Sequence, residues 1–183
     1  MATTTRTVTY EEWLNMTVVE DAIEEVVNGE VRIMPPNKWK HALIVENVAH
    51  ALHRQVNEPE VLVVTTQFGL IIRKQPLTSR VPDLAMFVKE NLVEQDGYIH
   101  SAPELVVEVL SPANTRAERA EKLRDYEELG IPEVWILSPE ARTFEVLQLM
   151  NGKLRTVRVL TQGQLSPQRF PDVAVDILSI WPD

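Results

Sequence analysis

One acid stands in the middle of the most apolar run of the chain: Glu108, within Leu105-Val106-Val107-Glu108-Val109-Leu110. Left unpaired in a strand covered on both faces, a carboxylate costs several kcal/mol, so it must be neutralised, ion-paired or bound to a cation. Two residues offer help. Asp83 opens a second apolar segment, Val81-Pro82-Asp83-Leu84-Ala85-Met86-Phe87, and Lys122 lies downstream in a charged stretch with helical spacing. Two acids and a lysine suit metal-assisted phosphodiester hydrolysis. A hard cation held by carboxylates lowers the pKa of water and offsets transition-state charge, and a lysine stabilises the scissile phosphate or orients the water. Plainer readings stand beside this one: Asp83 as a turn residue at a strand entry, Lys122 as a surface lysine, and Glu108 with Lys122 as an ion pair without metal.

The surrounding segments must position these residues. Ser111-Pro112-Ala113-Asn114 ends the Glu108 strand and offers a start for a helix over 115–129, which Gly130-Ile131-Pro132 stops as a C-cap glycine followed by proline should. If that helix packs back along its strand, Glu108 lies about 7 Å before the strand end. Lys122 then lies about 10 Å back along the helix, a difference its side chain spans. Thr115, Arg119, Lys122 and Tyr126 share one helix face, which can point at Glu108. A further apolar strand over 133–137 makes the helix a crossover between parallel strands, hence an α/β sheet.

Upstream, Thr9-Tyr10-Glu11-Glu12 has the form of a capping box and predicts a short helix through Leu14. Strands over 23–27 and 30–34 flank Asn28-Gly29, and strands over 143–150 and 153–160 flank Asn151-Gly152, the dipeptide suited to a type I′ hairpin turn. Asn37 can cap a helix over 38–56 whose apolar face is Leu43, Ile44, Val48, Ala51 and Leu52. Strands are expected over 61–66 and 68–73. Gln75 to Arg80 reads as a polar link, Lys89 to Ser101 as a charged loop, and the form of the segment ending at Trp181 stays open.

With 183 residues the chain is expected to be one domain, and 44% hydrophobic with 25% charged residues fits a water-exposed globule. No stretch is apolar enough for a membrane span or a secretory signal, so a cytoplasmic location is expected. The absence of cysteine excludes disulfides and thiolate metal sites. A formal charge of -9 argues against broad nonspecific affinity for nucleic acid. Local basic clusters remain: Arg73, Lys74 and Arg80 before Asp83, and Arg116, Arg119, Lys122 and Arg124 in the helix, read singly as solvated faces. Glu46, His50 and His53 have a spacing compatible with metal ligation, but read more simply as a polar helix face.

Taken together, Val81-Pro82-Asp83, Glu108-Val109-Leu110-Ser111-Pro112, Glu118-Arg119 with Lys122 and Tyr126, and Gly130-Ile131-Pro132-Glu133-Val134-Trp135 resemble the restriction-endonuclease-like family of the PD-(D/E)XK nuclease superfamily. Asn28-Gly29-Glu30, His41 and Phe170-Pro171 extend the resemblance over nearly the whole chain. It implies a mixed α/β sheet flanked by helices with additional β-hairpins, forming one nuclease-like domain over 1–183. It also implies Mg²⁺, with Mn²⁺ as a substitute, on Asp83 and Glu108, and Lys122 as the catalytic lysine. The superfamily places that lysine two residues after the second acid, where this chain has Leu110; Lys122 matches a variant that carries it on the next helix. The resemblance favours Glu30 and His41 as site neighbours, although as residues they read as a solvent-facing strand position and a first-turn surface histidine. Glu46 is kept because related nucleases place an acid on this helix, and Arg119 and Tyr126 because they lie beside Lys122. The expected activity is Mg²⁺-dependent DNA hydrolysis, with a homodimer suited to cutting both strands. The competing reading is a non-catalytic interaction module retaining the fold, motivated by the acidic balance and by Trp13 and Trp181, which look exposed.

Overall fold

A computed structural model describes residues 7–16, 22–56, 59–65, 68–112 and 115–182. The first helix, α1 (Tyr10–Leu14), is closed by its capping box: the Thr9 hydroxyl accepts from the Glu12 amide at 3.1 Å and the Glu12 carboxylate accepts from the Thr9 amide at 3.0 Å. The hairpin of β1 (Ile23–Val27) and β2 (Glu30–Met34) has the expected bounds, with Asn28 and Gly29 at φ 52° and 82° in the turn.

Next comes α2 (Trp39–His53), whose N-cap is Lys38 rather than Asn37. It buries Ile44, Val45, Val48, Ala49 and Leu52, so its core stripe is rotated from the expected one and Leu43 is exposed. After β3 (Val61–Thr65) and β4 (Leu70–Lys74), the expected polar link is instead β5 (Leu77–Arg80), a strand buried at all four positions. Its polarity misled because small hydroxyls and a compensated arginine can be buried: Thr78 accepts the Asn28 amide at 3.1 Å, and Arg80 lies among acids. Thr66, assigned from sequence to the end of β3, lies outside the described residues.

The chain continues through β6 (Leu84–Val88) into the expected charged loop. That loop contains a 3-10 turn, Lys89–Asn91, and a short hairpin of β7 (Glu94–Gln95) and β8 (Tyr98–Ile99). The Glu108 strand is β9 (Leu105–Val109), followed by α3 (Arg116–Leu129). Thr115 caps α3 through a second box with Glu118, and Gly130 ends it at φ 83°, a conformation costly for any residue with a Cβ. Ala113 and Asn114, part of the expected helix start, lie outside the described residues. Then come β10 (Glu133–Ser138) and the hairpin β11 (Thr143–Met150) with β12 (Lys153–Leu160). The chain closes with β13 (Gln164–Leu165), β14 (Val175–Asp176) and α4 (Ile177–Ile180).

Among the described residues the strands divide into two six-stranded sheets and one two-stranded sheet. The central sheet runs β12-β11-β10-β9-β6-β3, with β9 and β10 parallel across the α3 crossover and the other neighbours antiparallel. On one of its faces lie α2 and α4, through Ile44, Val48 and Ile180 against Leu84, Val107 and Trp135. On the other lie α3 and β4, through Tyr126, Leu70 and Ile72 against Ala85, Val106 and Ile136. Leu105, Val107 and Val109 therefore face α2, while Val106 and Glu108 face α3, as strand alternation requires. The second sheet, β2-β1-β5-β4-β8-β7, carries α1 on a small core of Tyr10, Trp13, Val26, Ile71 and Leu77.

Neither tryptophan taken as exposed is so. Trp13 is buried, with its ring 4.5 Å from that of Tyr98 and its indole N–H donating to Glu24 at 2.5 Å. Trp181, 8% exposed, meets Phe144 edge to face at 5.5 Å and completes the core over α2 and α4. Trp181→Ala should therefore cost about 3 kcal/mol or more in denaturant unfolding, because it opens a cavity. A loss below about 0.5 kcal/mol, the range of an exposed position, would show that this packing is wrong.

Candidate active site at the ends of the central strands

The central sheet brings the two acids together. The β6/β9 ladder ends with Leu84 paired to Val107, and Asp83 and Glu108 are the next residues beyond that pair. Asp83 is held where the ladder ends: its Oδ2 accepts the Val109 amide at 2.8 Å and lies 3.2 Å from His41 Nε2, and its Oδ1 takes a long bond of 3.5 Å from the Asn37 amide. Asn37, expected to cap α2, is thus drawn to the site.

Glu108 is answered from α3. Lys122 Nζ lies 3.0 Å from Glu108 Oε2 and 2.9 Å from Oε1, and the Tyr126 hydroxyl donates to Oε1. Lys122 and Tyr126 are one turn apart, so a single helix face delivers both donors. The Lys122 ammonium also donates to the Val81 carbonyl at 3.1 Å and lies 3.2 Å from Glu25 Oε1. Its three protons thus have acceptors on three different strands or loops. The Glu108 and Lys122 side chains retain 13% and 21% accessibility, so the pair is not fully sealed from solvent.

The electrostatics follow from crowding. Burial pushes the Glu108 carboxyl up to about 7; Lys122 opposes the shift and the negative charge of Asp83 adds to it. Burial would lower Lys122, but Glu108 and Glu25 outweigh it and hold the ammonium above its ordinary value. Burial, and then Glu108, raise Tyr126, which keeps its hydroxyl a donor. His41 is raised as well: burial works against protonation, and Asp83 with the Val109 carbonyl at 3.0 Å prevails. Its Nδ1 is buried and has no hydrogen-bond partner among the described residues.

Two participants escaped the sequence reading. Glu25 and Arg80, each 3% exposed, lie under Lys122. Arg80 Nη1 meets Glu25 at 2.7 Å, its Nε donates to Asp125 at 2.8 Å, and its Nη2 donates to Glu121 at 3.2 Å. Glu25 also accepts the Val81 amide at 3.0 Å. Burial resists ionisation of Glu25, but Lys122 and Arg80 hold it below the usual carboxylate range. The network fastens β1 and β5 to the helix that carries Lys122. The signal was available, since Glu25 is an acid in an apolar strand as Glu108 is. Arg80, grouped with Arg73 and Lys74 as a solvated face, is an interior cation.

Other expected neighbours lie elsewhere. Glu30 pairs at 3.8 Å with Arg32 on the hairpin, and Glu46 and His50 are exposed on α2. Arg119 forms an ion pair with Glu145 of β11 instead of joining Lys122. His41 and Tyr126 are the two that do reach the acids. Among the described residues no group of three or more His, Asp or Glu forms a ready metal cage.

Because Glu108 holds its proton more tightly folded than unfolded, its contribution to stability is present below its ordinary value of 4.5 and is lost as pH rises through about 7. Glu108→Gln cannot titrate, so between about pH 5.5 and pH 8 it should gain about 2 kcal/mol on the wild type in paired urea unfolding. Parallel pH profiles would contradict the assigned environment. Lys122→Met leaves Glu25 and Glu108 short of a cation and should cost about 3 kcal/mol at neutral pH, with unchanged stability as the refuting result.

The comparisons agree with this architecture. Residues 9–178 match the family model "Uma2: Putative restriction endonuclease". A solved structure described as a putative nuclease belonging to DUF820, from Anabaena variabilis, superposes with a TM-score of 0.76 at 19% identity over 94% of this chain and 97% of that one. At that identity the likeness establishes the fold. No curated protein matches the chain. Because the family model spans residues 9–178, nearly the whole chain, the chain belongs to the Uma2 family of restriction-endonuclease-like proteins.

Proposed function

We propose that the protein is a Mg²⁺-dependent endonuclease, able to use Mn²⁺, that hydrolyses phosphodiester bonds in DNA. The observation that carries this reading is that Asp83 and Glu108 follow directly on the last β6/β9 pair, near enough for the Asp83 charge to act on Glu108, with Lys122 2.9–3.0 Å from Glu108. Family membership and the nuclease described for the solved relative support it.

The donor set fits the ion. Mg²⁺ commonly binds through one or two carboxylates and completes its octahedron with water and substrate phosphate, so a three-residue cage is not required. Among the described residues, Asp83 Oδ1 is engaged only by the long Asn37 bond and Glu108 Oε2 accepts only from Lys122, which leaves lone pairs on both acids. When bound, the ion supplies a more acidic water and offsets negative charge on the phosphoryl oxygens.

The protein's residues do the positioning. Asp83 is fixed by the Val109 amide and His41, and Glu108 by Tyr126. Lys122 is anchored by the Val81 carbonyl and Glu25, so its bond to Glu108 is the exchangeable one. A phosphate oxygen entering beside Glu108 can take that bond, which places positive charge where the transition state becomes more negative. In a homodimer, two such sites would serve the two strands of a duplex.

A second reading, an interaction module without catalysis, has one observation in its favour: Lys122 and Tyr126 already compensate Glu108. The two separate cleanly. Plasmid nicking in Mg²⁺ or Mn²⁺ should disappear in Asp83→Asn, and the ion should raise the thermal midpoint of the wild type but not of the variant. Cleavage undiminished by the substitution would remove Asp83 from the reaction, and the absence of ion binding by calorimetry would favour the module.

A further inference from the structure

Residues 31–45 contain no acid in a chain of formal charge -9, and they include Arg32, Lys38, Lys40 and His41. Every residue of the segment 35–40 is exposed. Trp39, near its end, is 67% exposed, whereas Trp13, Trp135 and Trp181 are all buried. The Lys40 ammonium stands 5.7 Å from the Trp39 ring centroid. The segment also borders the acids: Asn37 bonds to Asp83 Oδ1 at 3.5 Å and His41 lies 3.2 Å from Asp83 Oδ2. Trp39 is two residues from each, at most about 7.6 Å along the Cα trace.

We propose that the segment 35–40 is a lip that binds an unpaired nucleic-acid strand, with Trp39 stacked on a base and Lys38 and Lys40 on neighbouring phosphates. This deepens the nuclease reading, on which it rests for the strand's destination, by naming the form of substrate: an unpaired stretch rather than an intact duplex. An indole offers a stacking face, and only a base free of its own stack can take it. The two lysines beside it suit phosphates, while the acidic balance elsewhere disfavours the dense charge of a duplex. A protein partner or second copy fits less well, because lysine is depleted from the cores of protein interfaces and here it flanks the aromatic on both sides. With a base held at Trp39, the strand passes Asn37 and His41, and a phosphodiester arrives beside Asp83.

The test uses the full chain in EDTA, with a short fluorescein-labelled oligothymidylate and the matching duplex as probes for anisotropy. Trp39→Ala should weaken single-strand binding roughly tenfold, and Trp39→Phe, which keeps a π-face, should retain most of it. The double substitution Lys38→Ala with Lys40→Ala should lower the salt slope by about 1.4. Circular dichroism should be unchanged, since all three side chains are exposed. Wild-type affinity in Trp39→Ala, no oligonucleotide binding by the wild type at low salt, or a change in self-association alone by light scattering each overturns the lip. Cleavage is read separately with Mg²⁺ or Mn²⁺. A strand bound through Trp39 but never cut upholds the lip and refutes hydrolysis, whereas cutting with unchanged KM in Trp39→Ala refutes the lip and leaves hydrolysis standing.

Discussion

Glu108 can sit in the central sheet because α3 carries a cation and a hydroxyl to meet it. Lys122 and Tyr126 occupy successive turns of that helix, and both reach the same carboxylate. The crossover between the parallel strands β9 and β10 sets the helix against the strand it has just left, so a residue late in β9 and one midway along α3 come together without any long-range coincidence. The Thr115 capping box and Gly130 fix where the helix begins and ends, and hence which of its residues face Glu108.

That pair is embedded in a larger alternation of charge. Moving inward from Asp83, the sequence of groups is Asp83, Glu108, Lys122, Glu25, Arg80 and Asp125, with contacts along it at 2.6–3.2 Å from Glu108 onward. Such chains are costly to build and costlier to break, because each removal strands a buried charge. Arg80 and Glu25 balance each other in the interior, and Glu121 and Arg32 continue the pairing toward the surface. At the outer end Asp83 is satisfied by a backbone amide and a histidine rather than a lysine or arginine, so negative charge gathers at the mouth of the site. Burial and the Asp83 charge together raise Glu108, the electrostatic signature of two acids sharing too little positive charge.

The second sheet packs beneath this arrangement. It brings β5 and β1 under α3, where Arg80 and Glu25 are 3% exposed, and lets β4 share a core with Tyr126. The basic, aromatic segment that leads into the first turn of α2 stays outside, joined to the acids through Asn37 and His41. The proposed chemistry at the strand ends and the proposed recognition at the adjoining segment are thus physically separate, one in a buried network and the other on an exposed surface.

The sequence by itself determined the local features whose causes are local. Both Asn-Gly hairpins, the Thr9 box, the crossover helix and its glycine stop appear because φ preferences and capping bonds act within a few residues. It also marked Glu108, because a charge among aliphatic residues demands a partner, and helical spacing was enough to nominate Lys122 and Tyr126. Tertiary structure decided what depends on burial. The segment Leu77–Arg80 reads as polar yet is an interior strand, because compensating acids come from β1 and α3, distant in sequence. Arg119 shares a face with Lys122 but pairs with Glu145 of β11, a partner supplied from a distant segment. Asn37 leaves its capping role for Asp83, and Trp13 and Trp181 enter cores that single-segment patterns cannot reveal. Periodicity reports which residues can share a face; only the packed fold determines what that face meets.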